Sequence, residues 1–286
     1  MKCLFCKKDS TKSKSIEHII PETLGNTKLV LPAGFVCDQC NNYFSRKIEQ
    51  PFFDMTEIKL LRFYEKIPNK KGKIPAIDAL LNDKKISIER IQPKGDFPAC
   101  IELLSIEGNI GEGIMLTPSY NDGELLSLSR TTSRFIAKIA FEALALKIID
   151  DPEWIEYLLS NKELDDMRNY VRFNTGEVWP YRVRRIYDIN SEHFFSNGST
   201  YQIIHESDFL MIKEKSHIDD KGNEILYGHL YFVIALWGLE FVINLADRTD
   251  EGLKKYDDWL DEHNQISFLH YEKNDNSTLI RGEKHE

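Results

Sequence analysis

Cysteine is scarce in this 286-residue chain: there are five, and four of them fall within the first forty positions. An odd set with Cys100 left over does not make the even framework of a disulfide-stapled secreted protein. A long apolar run is missing as well. Leu230 to Leu245 comes nearest, but Gly238 and Glu240 interrupt it, which suits two buried strands and not a membrane helix. No apolar core follows the lysines of residues 1–10, so no secretory signal peptide is expected. The chain is therefore read as cytoplasmic, with reduced thiols and no membrane partner. It has no internal repeat and no low-complexity segment, and the glycine-rich stretch 107–113 reads as a turn without a phosphate-loop pattern.

Charge is unevenly spread. The whole chain carries a formal −9, yet residues 1–90 hold 17 Lys or Arg against 11 Asp or Glu, a balance of +6 that leaves −15 for the rest. A basic head on an acidic body can attract a polyanion at one end, so net acidity does not exclude nucleic acid. For the run around Lys70, Lys71 and Lys73 alone, a solvated loop is the plainer reading.

The first fifty residues carry the chemistry. Cys3-x-x-Cys6 and Cys37-x-x-Cys40 are two thiolate pairs able to close a tetrahedral structural zinc site. Glu17-His18-Ile19-Ile20-Pro21 stands between them, and Asn41-Asn42 follows directly. Residues 15–20 and 28–36 read as two short strands joined by a turn at Leu24-Gly25-Asn26. Residues 37–50 read as a helix with Phe44 and Ile48 on one face and Pro51 as its stop.

This arrangement resembles the HNH endonucleases of the ββα-metal class, in the subtype stapled by four zinc-binding cysteines. In that family an acidic residue followed by histidine ends the first strand, as Glu17-His18 does, and an Asn or His directly follows the last cysteine, as Asn41 does. The resemblance implies that His18 is the general base and that Glu17 and Asn41 hold a catalytic Mg²⁺ or Mn²⁺. It implies that Cys3, Cys6, Cys37 and Cys40 hold a Zn²⁺ whose role is structural. Taken singly, His18 could be an ordinary strand-end histidine, Glu17 a surface carboxylate, and Asn41 a helix cap. Two departures stand out. The family's bracing asparagine before the second cysteine pair has no counterpart in residues 31–36, with Asn26 the only substitute nearby, and Arg46 and Lys47 replace a displaced basic residue as candidate phosphate contacts.

Beyond a boundary placed near residue 75, the pattern is mixed. Residues 52–66 read as a further helix, 86–91 and 100–106 as strands, and 131–149 as the strongest helix, closed by Asp150-Asp151-Pro152. Arg134 and Lys138 on that helix read as a solvated face. Shorter helices are expected at 153–160 and 163–172, then an antiparallel sheet from strands within 178–246. Trp179 to Arg185 mixes aromatics with arginines, either a sheet edge or a surface for stacking on bases. His205, His217 and His229 have no companion carboxylate pattern and read as structural.

The expected fold class is α+β: a zinc-stapled ββα-metal finger (1–75) followed by a larger α+β domain with a mainly antiparallel sheet (76–286), of target-sensing or substrate-presenting role. The expected function is metal-dependent hydrolysis of phosphodiester bonds, with DNA ahead of RNA as substrate. A small HNH head on an additional domain is an architecture frequent in bacterial and phage defence and in restriction. Alternatives are an RNA-directed nuclease, or an inactive zinc-organised nucleic-acid-binding or regulatory module, the last kept open by the missing asparagine. Double-strand cutting by a one-site nuclease would require two copies acting together, hence a homodimer.

Overall fold

The computed structural model describes residues 1–24, 26, 28–69, 71–91, 100–103, 113–189, 191, 193–194, 200–201, 205–218 and 224–270. The Gly25 turn, Lys70 and most of the 107–113 stretch lie outside the described residues, as do the side chains of Cys100 and His217.

Two very short strands, β1 (Glu17–His18) and β2 (Val30–Leu31), pair antiparallel. They are shorter than the sequence pattern suggests, because backbone on either side is held by side chains instead of by a ladder. The Asp38 carboxylate, for example, accepts from the Lys14 and Ser15 amides leading into β1. Those bonds hold its pKa below the ordinary carboxylate value.

The following helix opens on Cys37 and runs as α1 (Asp38–Phe44), a π turn (Ser45–Glu49) and α2 (Gln50–Phe53). Pro51 therefore does not stop it. The Gln50 amide reaches back five residues to the Ser45 carbonyl, and Pro51 has no amide to offer the Lys47 carbonyl. That carbonyl instead accepts from Arg134 Nη1 at 3.4 Å. A separate helix α3 (Thr56–Tyr64) follows, shorter than the 52–66 span expected.

A second sheet has the order β5-β4-β3-β6, built from β3 (Ile77–Leu81), β4 (Lys84–Ile91), β5 (Cys100–Leu103) and β6 (Met115–Leu116), all antiparallel. Helix α4 (Arg130–Lys147) begins with Ser129 capping the Thr132 amide, and is followed by α5 (Pro152–Ser160), capped by Asp151, and α6 (Asp165–Phe173). Then come β7 (Tyr181–Arg185), β8 (His193–Phe194), β9 (Thr200–Tyr201), β10 (His205–Ile218), β11 (Glu224–Leu236) and β12 (Leu239–Asn244). The third sheet is antiparallel in the order β10-β11-β12-β7. The interrupted apolar run is thus two strands, β11 and β12, turned at Trp237-Gly238, both with positive φ. A closing helix α7 (Asp250–Glu262), capped by Thr249, covers one face of that sheet.

One hydrophobic core holds residues from both ends of the chain. Phe5 packs edge-on to Phe44 and against Phe141 of α4, while Phe52 stacks on Phe135 with ring centroids 3.9 Å apart. Helix α4 is the axis on which the first fifty residues are seated. Arg134 and Lys138 correct the expectation of a solvated face: both are buried. Arg134 bonds the carbonyls of Tyr170 and Val171 and the Tyr43 hydroxyl, which ties α6 and α1 to α4.

At the edge strand β7 the arginine run is spent on internal carboxylates. Arg182 pairs with Asp250 and Asp257, Arg184 with Glu240, and Arg185 with Asp122. The sheet-edge reading holds for these residues. His229 is buried beside Asn244, with Glu214 at 3.3 Å, as befits a structural histidine.

Candidate active site

The four N-terminal cysteines converge because the Cys3 to Lys8 turn packs against the start of α1. Their sulfurs lie within 4.8 Å of one another, with Cys6 and Cys37 Sγ 3.7 Å apart. A tetrahedral zinc with Zn–S bonds of about 2.3 Å needs sulfur separations near 3.8 Å, so this donor set fits the ion. The amides of Cys37 and Cys40 point at Cys3 and Cys37 Sγ, and Arg172 Nε from α6 donates to Cys40 Sγ at 3.1 Å. Hydrogen bonding from Cys40 pulls the Cys3 thiol down to about 4, while burial pushes Cys6 up to about 11.

Beside this clip a cavity of about 340 Å³ opens between the end of β1 and the α1–π-turn face. Glu17, His18 and Asn41, named from sequence, all line it, together with Glu22, Ser45, Glu49, Asn69 and Lys71. Neighbours on a strand should point to opposite faces. Here Glu17 turns inward to α4 and His18 outward to Glu22, and the cavity lies across the strand end, touching both. His18 Nε2 is 3.1 Å from Glu22 Oε1, whereas its buried Nδ1 has no hydrogen-bond partner among the described residues. With Nε2 carrying the proton toward Glu22, Nδ1 keeps a lone pair that can accept one.

Residues 3–57 match the HNH endonuclease family. The matched segment takes in the hairpin, the cysteine quartet and the helix through the first residues of α3. No curated protein and no solved structure matches the chain.

Within the matched segment Asn26 is the asparagine nearest in sequence to the first strand, and it is held by backbone bonds. Asn26 is 2% exposed; its Nδ2 donates to the carbonyls of Ile20 and Leu29, and its Oδ1 accepts from the amides of Lys28 and Leu29. One side chain thus closes the loop between β1 and β2.

What sequence reading missed comes from α4. Lys138, wholly buried, sets its ammonium 2.5 Å from Glu17, 2.9 Å from Glu49 and 3.1 Å from Glu142, and reaches the His18 carbonyl at 3.4 Å. Although burial alone would pull its pKa down, the carboxylates of Glu142, Glu17 and Glu49 hold it well above the lysine value. Burial pushes Glu17 up, opposed by Lys138, and pushes Glu142 up much further. The oxygen donors of Glu17, Asn41, Ser45 and Glu49 on one cavity are of the kind that suits a hard divalent cation. Arg46 and Lys47 are exposed and are absent from the cavity lining, with Arg46 Nε on the Asn42 carbonyl. Lys71, from the run read as a solvated loop, lines the cavity instead.

No described helix is long and apolar enough to cross a membrane.

Proposed function

We propose that the protein is a metal-dependent HNH endonuclease that hydrolyses phosphodiester bonds, with DNA as its principal substrate. The observation that carries this reading is the convergence of His18, Glu17 and Asn41 on one cavity within the segment that matches the family. His18 is the general base: Glu22 orients the ring through Nε2, and the imidazole takes the proton from a water in line with the scissile phosphorus. Glu17 and Asn41 are the residues that would hold Mg²⁺ or Mn²⁺. The ion, when bound, stabilises charge on the phosphate and on the leaving oxygen.

Lys71, on the cavity wall, and Arg46 and Lys47, exposed on the Ser45–Glu49 π turn, draw the phosphate backbone toward the site. The zinc held by Cys3, Cys6, Cys37 and Cys40 is structural, because all of its positions are taken by sulfur. The body beyond residue 75 presents the target, and a homodimer supplies two sites for double-strand cutting. A cytoplasmic role in defence or restriction suits this architecture.

The test is incubation of the purified chain with plasmid and with RNA, under Mg²⁺ or Mn²⁺ and then with chelator, beside His18→Ala. Metal-dependent plasmid cleavage that vanishes in the variant is expected. Cleavage unchanged in His18→Ala removes the base assignment, preferential cutting of RNA moves the substrate, and a monomeric solution mass with substrate removes the dimer.

A further inference from the structure

Glu49 is a cavity carboxylate to which the reading above gives no task. Its Oε1 lies 2.9 Å from Lys138 Nζ, the same ammonium that Glu17 meets at 2.5 Å. Glu142 stands behind Lys138 at 3.1 Å, fully buried. Glu49 also stays on the cavity wall, with 17% of its side chain exposed. A carboxylate that gives one oxygen to lysine still has a second to offer.

The backbone supplies a separate observation. In an α-helix four residues advance about 40° beyond a full turn, so Asn41, Ser45 and Glu49 would drift progressively around the axis. The π turn at Ser45–Glu49 is wider, so four residues fall short of a full turn and the drift is reversed. The reversed drift is consistent with Asn41, Ser45 and Glu49 all lining the same cavity as Glu17.

We propose that Glu49 is a second carboxylate ligand of the divalent cation in this cavity, joining Glu17 and Asn41. Two carboxylates with water and phosphate oxygens are the usual complement of a Mg²⁺ site. Lys138 is a positioning residue that holds Glu17 and Glu49 side by side. The inference rests on the reading of Glu17, His18 and Asn41 as the cleavage centre.

Isothermal titration of Mn²⁺ alone into the zinc-loaded full chain, without nucleic acid, tests it. Glu49→Gln is expected to weaken Mn²⁺ binding at least about tenfold with zinc content unchanged. Wild-type affinity in Glu49→Gln, with binding weakened in Glu17→Gln, overturns the Glu49 assignment and leaves the cleavage centre standing. Wild-type affinity in both variants, or no Mn²⁺ binding by the wild type, removes the metal centre itself. Should Glu49→Gln unfold, Glu49→Asp keeps a charge for Lys138 but withdraws it by one methylene. Weakened Mn²⁺ binding there supports the assignment, and unchanged binding overturns it.

Discussion

Lys138 of the long central helix places its ammonium 2.5 Å from the Glu17 carboxylate, so a residue of the body sets the position of a residue in the HNH segment. Both side chains are almost completely buried. Such a pair contributes less as attraction than as a constraint, since removing one partner strands the other charge in a medium that cannot solvate it. Lys138→Met is expected to destabilise the fold by about 3–5 kcal/mol, read by denaturant unfolding. A loss within experimental error would show that Glu17 and Glu142 are neutral without it.

For His18, the expected loss is chemical. His18→Ala should lower the cleavage rate about 10²- to 10⁴-fold while leaving zinc content and melting temperature close to wild type. Glu22→Gln should cause a smaller loss, because it touches only the orientation of the ring. Equal losses in the two variants would argue that Glu22 does more than orient.

Asn26 satisfies four backbone groups from inside the loop between β1 and β2. Asn26→Ala leaves buried donors and acceptors without partners, so a destabilisation of at least about 1–3 kcal/mol is expected, with cleavage reduced as the His18 segment loosens. Asn26→Asp retains the acceptor but loses the donor to Ile20 and Leu29. It should fall between the two, and an Asp variant worse than Ala would point to buried charge as the dominant cost.

Zinc removal should act on folding before chemistry. Cys37→Ser, or a strong chelator, is expected to abolish stoichiometric zinc and to unfold the segment that carries Glu17 and His18, as followed by circular dichroism. Retention of ordered structure and of cleavage after zinc loss would make the cysteine cluster dispensable.

Glu240 gives a pH dependence away from any metal. Burial raises its pKa above the ordinary value despite Arg184 and Ser267 beside it. The folded pKa therefore exceeds the unfolded one, and the proton it holds stabilises the fold. That contribution is complete below the unfolded carboxylate pKa and is lost as pH rises through the folded value. The stability of wild type relative to Glu240→Gln should accordingly fall with rising pH across this window. A difference that rises with pH would mean that Arg184 outweighs burial.

Local pattern determined the elements whose chemistry is local. The Cys-x-x-Cys spacing, the Glu17-His18 pair and the Asn after Cys40 are contiguous signals, and Glu17, His18 and Asn41 line one cavity. Helix α4 and the β11–β12 hairpin were equally legible, from apolar periodicity and from the interruption at Gly238. Helix α7 carried a readable signal in Thr249 and in the spacing of Leu253, Tyr256 and Leu260, but it was not recognised.

Tertiary structure decided the rest, and the reason is burial of polar groups. A lysine or arginine on an amphipathic helix looks solvent-facing until carboxylates and carbonyls from distant segments converge on it, as Glu17, Glu49 and Glu142 do on Lys138. Pro51 looks like a stop until Arg134 takes up the carbonyl it leaves without a donor. Asn26 looks too early to brace the loop until the chain folds back around it. The sequence by itself determined which chemical groups the first fifty residues bring. Only the packing of that segment against the central helix decided how they are held, because a buried charge or unpaired carbonyl is tolerated only where its partner arrives from elsewhere in the chain.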